Sequence, residues 1–136
     1  MLIKQLSVFI ENRAGRLEKV TQTLKEHHVN ITALSLADTS EYGMLRMIVS
    51  DPIEGKTALK EAGFSTMLTD VIAVKFPDQI GMLHDLLVTL ADVNIEYMYA
   101  ISTTENAAMI LKLSDNAIGL AALKENGYEV LDESLA

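Results

Sequence analysis

Cysteine and tryptophan are absent from this sequence, proline occurs twice, and eleven Lys and Arg face nineteen Asp and Glu. Each shortage excludes something. Without cysteine there can be no disulfide, thiolate zinc site or iron–sulfur cluster, which suits a reducing cytoplasm. No apolar stretch approaches the roughly 18 residues of a membrane span. The opening Met1-Leu2-Ile3-Lys4-Gln5 lacks the basic start and apolar run of a signal peptide. A cytoplasmic protein with no membrane partner is therefore expected. The cation deficit sits in the second half. Residues 71–136 hold three Lys and Arg against ten Asp and Glu, a net of −7, whereas residues 1–70 hold eight against nine, a net of −1. An acidic chain with 5% aromatics cannot neutralise phosphates or stack bases well, so no nucleic-acid partner is expected. Catalytic signatures are missing too. There is no G-x-S-x-G, P-loop or G-x-G-x-x-G, and the carboxylates are scattered. No catalytic residue, cofactor or metal is assigned.

What is present is a globular composition, 49% hydrophobic and 22% charged, and an internal repeat. With Gly15 set on Gly81, an offset of 66 places Leu17 on Leu83 and Leu24 on Leu90. After a two-residue gap at His27-His28 the offset becomes 64. Asn30-Ile31 then falls on Asn94-Ile95, Ser50-Asp51 on Ser114-Asp115, and Gly63-Phe64 on Gly127-Tyr128. The repeat predicts two domains, 1–68 and 69–136.

Both halves read alike. An apolar run (Leu2 to Ile10; Val71 to Phe76) predicts a strand, and a polar turn follows. A helix comes next, because Ala14, Leu17, Val20 and Leu24, or Ile80, Leu83, Leu87 and Leu90, line one helical face. Asn12 and Asp78 occupy expected N-cap positions, which puts Gly15 and Gly81 about three residues into their helices. Stretches 31–37 with 43–50, and 95–102 with 107–113, predict hairpins turning at Tyr42-Gly43 and Glu105-Asn106. A second helix starts at Asp51-Pro52 and stops at Gly63; its counterpart runs from Asp115 to Gly127. Short strands follow at 64–69 and 128–131, with only Thr69-Asp70 between one half's last strand and the next half's first. The fold class is α+β: βαββαβ twice, two tandem ferredoxin-like domains, each an antiparallel sheet with two helices on one face. Domains this small, lacking disulfides and with bare sheet edges, are expected to form a homodimer.

The turn before each first helix carries the chemistry. Glycine inside a helix costs roughly 1 kcal/mol relative to alanine, so it needs a reason there. Close approach by a neighbouring strand is one, and a ligand carboxylate resting on first-turn N–H groups is another. The residues alone leave both open. Arg13 and Arg16 add cations to the first turn only, as carboxylate clamps or as a solvated face. His27, His28 and His84 read as helix-end or surface histidines.

These residues resemble a known family. Asn12-Arg13-Ala14-Gly15-Arg16-Leu17 with Asn30-Ile31, and Asp78-Gln79-Ile80-Gly81-Met82-Leu83 with Asn94-Ile95, look like the ACT domain signature, twice and in register. The resemblance covers nearly the whole chain. It implies a regulatory module that binds a free amino acid at an interface between paired domains, with Asn12, Gly15, Asn30, Asp78, Gly81 and Asn94 as ligand residues. Ala14 and Ile80 depart from it where proline is common. Asp78 stands where the first half has Asn12, which disfavours a ligand carboxylate in the second half. Since no catalytic domain is attached, the output is expected to act on an unidentified regulated protein. The alternative is a small enzyme on a ferredoxin-like fold, a frame that hosts unrelated chemistries.

Overall fold

The computed structural model describes residues 1–38, 42–77, 79–102 and 107–133. They form two compact units. One is Lys4–Thr69; the other begins at Asp70 and includes Met1–Ile3.

In the first unit, β1 (Ile3–Glu11) alternates Leu6, Val8 and Ile10 toward a core that also takes Leu45, Met47 and Val49 from β3 (Tyr42–Val49). Register follows that alternation: Leu6 faces Met47 and Val8 faces Leu45 in the antiparallel pair. The edge strand β2 (Ile31–Asp38) lies on the other side of β3, with Leu34 opposite Met47. Two helices cover the core face. In α1 (Arg16–Glu26), Val20 and Leu24 fall one turn apart and are buried, with Leu17 packed beside them. In α2 (Pro52–Glu61), Gly55, Ala58 and Leu59 point inward. The strand order is β2-β3-β1-β4, the last being the Ser65–Thr69 portion of β4 (Ser65–Lys75).

The second unit repeats the plan with Asp70–Lys75 of β4, α3 (Met82–Thr89), β5 (Ile95–Ser102), β6 (Ala107–Leu113), α4 (Asn116–Glu125) and the short β7 (Val130–Leu131). Its order is β5-β6-β4-β7, with Ile72 opposite Leu111, Val74 opposite Met109 and Ala73 opposite Leu131. Ile72, Val74, Leu86, Leu90, Leu111, Leu113 and Leu123 form its core. The repeat extends to irregularities: the ladder shifts between Ile31 and Ala33 in one unit and between Ile95 and Tyr97 in the other.

The second helix of each unit starts and stops as its sequence predicts. Asp51 and Asp115 are extended N-caps whose carboxylates accept from the N–H groups of Glu54 and Ile118, each at 3.1 Å. Gly63 and Gly127 follow the C-caps with positive φ, and the Phe64 and Tyr128 N–H groups close back onto Leu59 and Leu123. Lacking glycine, α1 ends the same way on His28, at φ 58, with Val29 N–H on the Leu24 carbonyl at 2.9 Å.

Four expectations are corrected. Ile80, Leu83, Leu87 and Leu90 do not form one buried stripe: Ile80 precedes α3 and is exposed, Leu83 and Leu87 are exposed, and Leu86 with Leu90 turns to the core; Ala14 likewise precedes α1 and is exposed. Tyr42 and Gly43 are not a turn: both lie in β3, paired with Glu11 and Ile10, because the apolar pattern of β1 draws the ladder that far. Thr69-Asp70 does not separate two strands, since the backbone stays extended from Ser65 to Lys75. Asn12 is not an N-cap: the helices begin one residue after Gly15 and Gly81, which are themselves the caps, and Asp78 lies outside the described residues. The turn expected at Glu105-Asn106 lies outside the described residues.

Candidate functional site

Gly15 is left-handed at φ 89, and Gly81 at φ 85, a region that glycine enters without a Cβ penalty. That conformation supplies the reason for glycine that its expected place inside the helix had left open. Packing does not: a Cβ built on either residue meets nothing within 4 Å. The glycines that do serve close approach are Gly55 and Gly119, in the second helices. A Cβ on Gly55 would stand 3.1 Å from Leu6 Cδ2, and one on Gly119 would collide with Leu113 Cδ1.

The two turns match bond for bond. Arg13 N–H donates to the Glu11 carbonyl at 2.8 Å, and Gln79 N–H to the Pro77 carbonyl at 3.0 Å. Arg16 and Met82 N–H groups reach back to the Arg13 and Gln79 carbonyls. Lys19 and Asp85 N–H groups make the first helical bonds, donating to the Gly15 and Gly81 carbonyls at 3.1 and 3.0 Å. Asn12, Arg13 and Ala14 are exposed, as are Gln79 and Ile80, the latter fully at 106%. Asp78 lies outside the described residues.

Among the described residues no side chain caps α1 or α3, in contrast to the aspartates on α2 and α4. With the Arg16 and Met82 N–H groups bonded back into their turns, the N–H groups of Leu17 and Glu18, and of Leu83 and His84, are the donors left at the positive end of each helix dipole among the described residues. Glu18 and Asp85 each place one acid in that first turn. The cations differ in their commitments. Arg13 Nε sits 3.1 Å from Glu11 Oε2, and both side chains are exposed. Arg16 is not on a solvated face: its guanidinium lies 4.6 Å above the Phe64 ring centroid, and its Nε is buried without a hydrogen-bond partner.

Asn30 and Asn94 are exposed at the far ends of the helices. Eleven residues of α1 separate Gly15 from that end, about 16 Å at the helical rise. One unit alone therefore does not bring Asn30 to the Gly15 turn. Sequence reading missed what holds these asparagines. Asn30 N–H donates to Ser50 Oγ at 2.9 Å while Ser50 N–H returns to the Asn30 carbonyl at 2.9 Å; Asn94 and Ser114 repeat the exchange at 3.1 and 2.8 Å. The signal was present, since Ser50 aligns with Ser114 at the same offset as the asparagines. Ile31 and Ile95, just beyond, are half-buried against the two cores.

His27 Nδ1 lies 3.0 Å from Glu54 Oε1, joining the end of α1 to the start of α2. Among the described residues no group of three or more His, Cys, Asp or Glu could hold a metal ion, and no helix is long and apolar enough to cross a membrane.

A model of the ACT domain pair family matches residues 1–133. Among solved structures, protein BT0572 from Bacteroides thetaiotaomicron is 38% identical, with a TM-score of 0.93 over 98% of this chain and 94% of that one. The regulatory subunit of aspartate kinase from Thermus thermophilus shares the fold at 17% identity and a TM-score of 0.66, covering 91% of this chain and 92% of that one. The subunit from Thermus flavus does so at 18% and 0.63, covering 92% and 94%. No curated protein matches the chain.

Proposed function

Because the chain belongs to the ACT domain pair family, we propose that it is a non-catalytic regulatory module that binds a free amino acid on its first-helix turns. The observation that carries this reading is the contrast in capping. Aspartate closes the N-terminus of each second helix, while among the described residues no side chain caps either first helix, whose second and third amides follow a left-handed glycine on which a Cβ would meet nothing within 4 Å. Such an end suits a carboxylate. The first unit is the better carboxylate site, because Arg16 stands at its first helical position where the second unit has Met82, and Asp78 replaces Asn12. Asn12 would take the ammonium or a polar side chain. Asn30 would complete the site from a second copy of the chain, since α1 holds it away from its own Gly15. A regulated partner protein would then read the liganded dimer.

The test needs a variant that the backbone tolerates. Valine at Gly15 would strain a φ of 89 and confuse misfolding with lost binding. Asparagine enters the left-handed region more readily and places a side chain over the first turn. Thermal-shift screening of the proteinogenic amino acids picks the ligand, and calorimetry then compares wild type with Gly15→Asn. The variant should stay folded and lose at least roughly tenfold in affinity, the worth of about 1.4 kcal/mol. Unchanged affinity in both Gly15→Asn and Gly81→Asn would place the ligand elsewhere. Light scattering should show a dimer; a mass near the 14.9 kDa of one chain would remove the role given to Asn30.

A further inference from the structure

The two units treat one position in opposite ways. In the first, Arg16 lays its guanidinium over the Phe64 ring at 4.6 Å, an internal cation on an internal aromatic. The repeat alignment puts Met82 and Tyr128 at the same two places in the second unit. There the ring is kept and the cation is gone. The neighbours change with it. Lys19 is answered by Asp85, and Ser65 by Glu129, so two carboxylates appear where the intrachain cation is missing.

A groove of about 500 Å³ opens at this point, lined by Lys75, Met82, Asp85, Thr89, Tyr128 and Glu129 among others. That is within the range of small-molecule sites. Its electrostatics are one-sided. Lys75 Nζ lies 3.4 Å from Glu129 Oε2, so the groove's cation is already engaged. The Asp85 carboxylate enters no ion pair among the described residues. Thr89 gives its hydroxyl proton to the Asp85 carbonyl at 3.0 Å and keeps its lone pairs for a donor. The half-buried Tyr128 supplies an aromatic ring to the lining, and Met82 an adaptable apolar wall.

We infer that this groove binds a small organic cation, a guanidinium or alkylammonium, with its charged end over Tyr128 beside Asp85 and its carbon chain along Met82. The first unit shows the same geometry satisfied from within. The second replaces the tethered cation with a space of ligand size and adds the counter-charge. This goes beyond the amino-acid reading, because the first-turn amides take a carboxylate and this groove needs none.

Agmatine is the probe, having a guanidinium and an ammonium but no carboxylate to engage the amides. Calorimetry at low ionic strength should show saturable binding at millimolar or lower concentration. Met82→Arg restores the first unit's internal cation and should weaken agmatine at least roughly tenfold while the melting temperature holds or rises. Asp85→Asn should weaken it roughly fivefold. Asp92→Asn removes the same charge from an exposed site outside the groove and should change little. Absence of binding up to about 10 mM overturns the inference, as does equal weakening by Asp85→Asn and Asp92→Asn, which would reduce the effect to the chain's general acidity.

Discussion

His28 and Gly119 show how a single residue can be asked for two incompatible things. His28 occupies the left-handed position that closes α1, where Gly63 and Gly127 serve α2 and α4. A non-glycine residue there carries roughly 1–2 kcal/mol of strain, part of which glycine returns as greater freedom of the unfolded chain. His28→Gly should therefore raise stability by about 0.5–1 kcal/mol in urea titrations; a loss of stability would mean the imidazole makes a compensating contact. Gly119 has the opposite problem. Alanine improves helix propensity by roughly 1 kcal/mol, but its methyl would enter the space of the fully buried Leu113. Overpacking of this kind costs about 1–3 kcal/mol, so Gly119→Ala should be net destabilising. At Gly55 the nearest atom is the tip of Leu6 at 3.1 Å, which can yield by a few tenths of an ångström. Gly55→Ala should be close to neutral in the same assay. If Gly119→Ala instead stabilised as much as Gly55→Ala, the packing account of these two glycines would fail.

At the scale of elements, legibility followed the kind of signal. The phase of α1 was readable because Leu17, Val20 and Leu24 repeat with the helical period and turn to the core. The phase of α3 was not, because its apolar residues surround the helix and Leu86, rather than Leu83 or Leu87, is the one buried. The second helices were readable at both ends, because aspartate, proline and glycine each act through local geometry that the chain carries with it. Asp51→Ala should cost about 1 kcal/mol, and Asp115→Ala a similar amount, measured by denaturant unfolding. A first-helix change such as Asn12→Ala should cost far less, since Asn12 caps nothing. That contrast also explains the misread helix starts. Asn12 and Asp78 have cap chemistry, but the start was set by backbone dihedrals at Gly15 and Gly81, which composition does not display. Tyr42-Gly43 looked like a turn for the same reason, and only the pairing with β1 revealed it as strand. The candidate site was half legible. The glycines and asparagines could be found by repeat alignment, whereas their separation along α1, the serines that hold Asn30 and Asn94, and the groove beside Tyr128 needed three dimensions.

For the whole molecule, the uneven charge has a thermodynamic consequence. The chain carries −8 formally, and residues 71–136 hold nearly all of it, with ten carboxylates against three cations. Folding draws these carboxylates closer together than the unfolded chain does, so their mutual repulsion opposes the compact state. The described ion pairs relieve little of this, as Lys75 with Glu129 and Lys112 with Glu96 are separated by 3.4 Å each and partly exposed. Salt screens the remainder. The Debye length falls from about 30 Å at 0.01 M to about 3 Å at 1 M, which takes it from spanning a unit to spanning one side chain. Raising NaCl over that range near pH 7 should therefore raise the melting temperature in calorimetry. Attractive pairs would be screened too, so the sign reports which kind of interaction dominates. A melting temperature that fell with salt would show the few cations to be stabilising out of proportion to their number. Sucrose strengthens burial without screening charge and separates that effect from the electrostatic one. The gain should shrink when Asp85 and Asp92 are both changed to asparagine, because two of the repelling charges are then already absent.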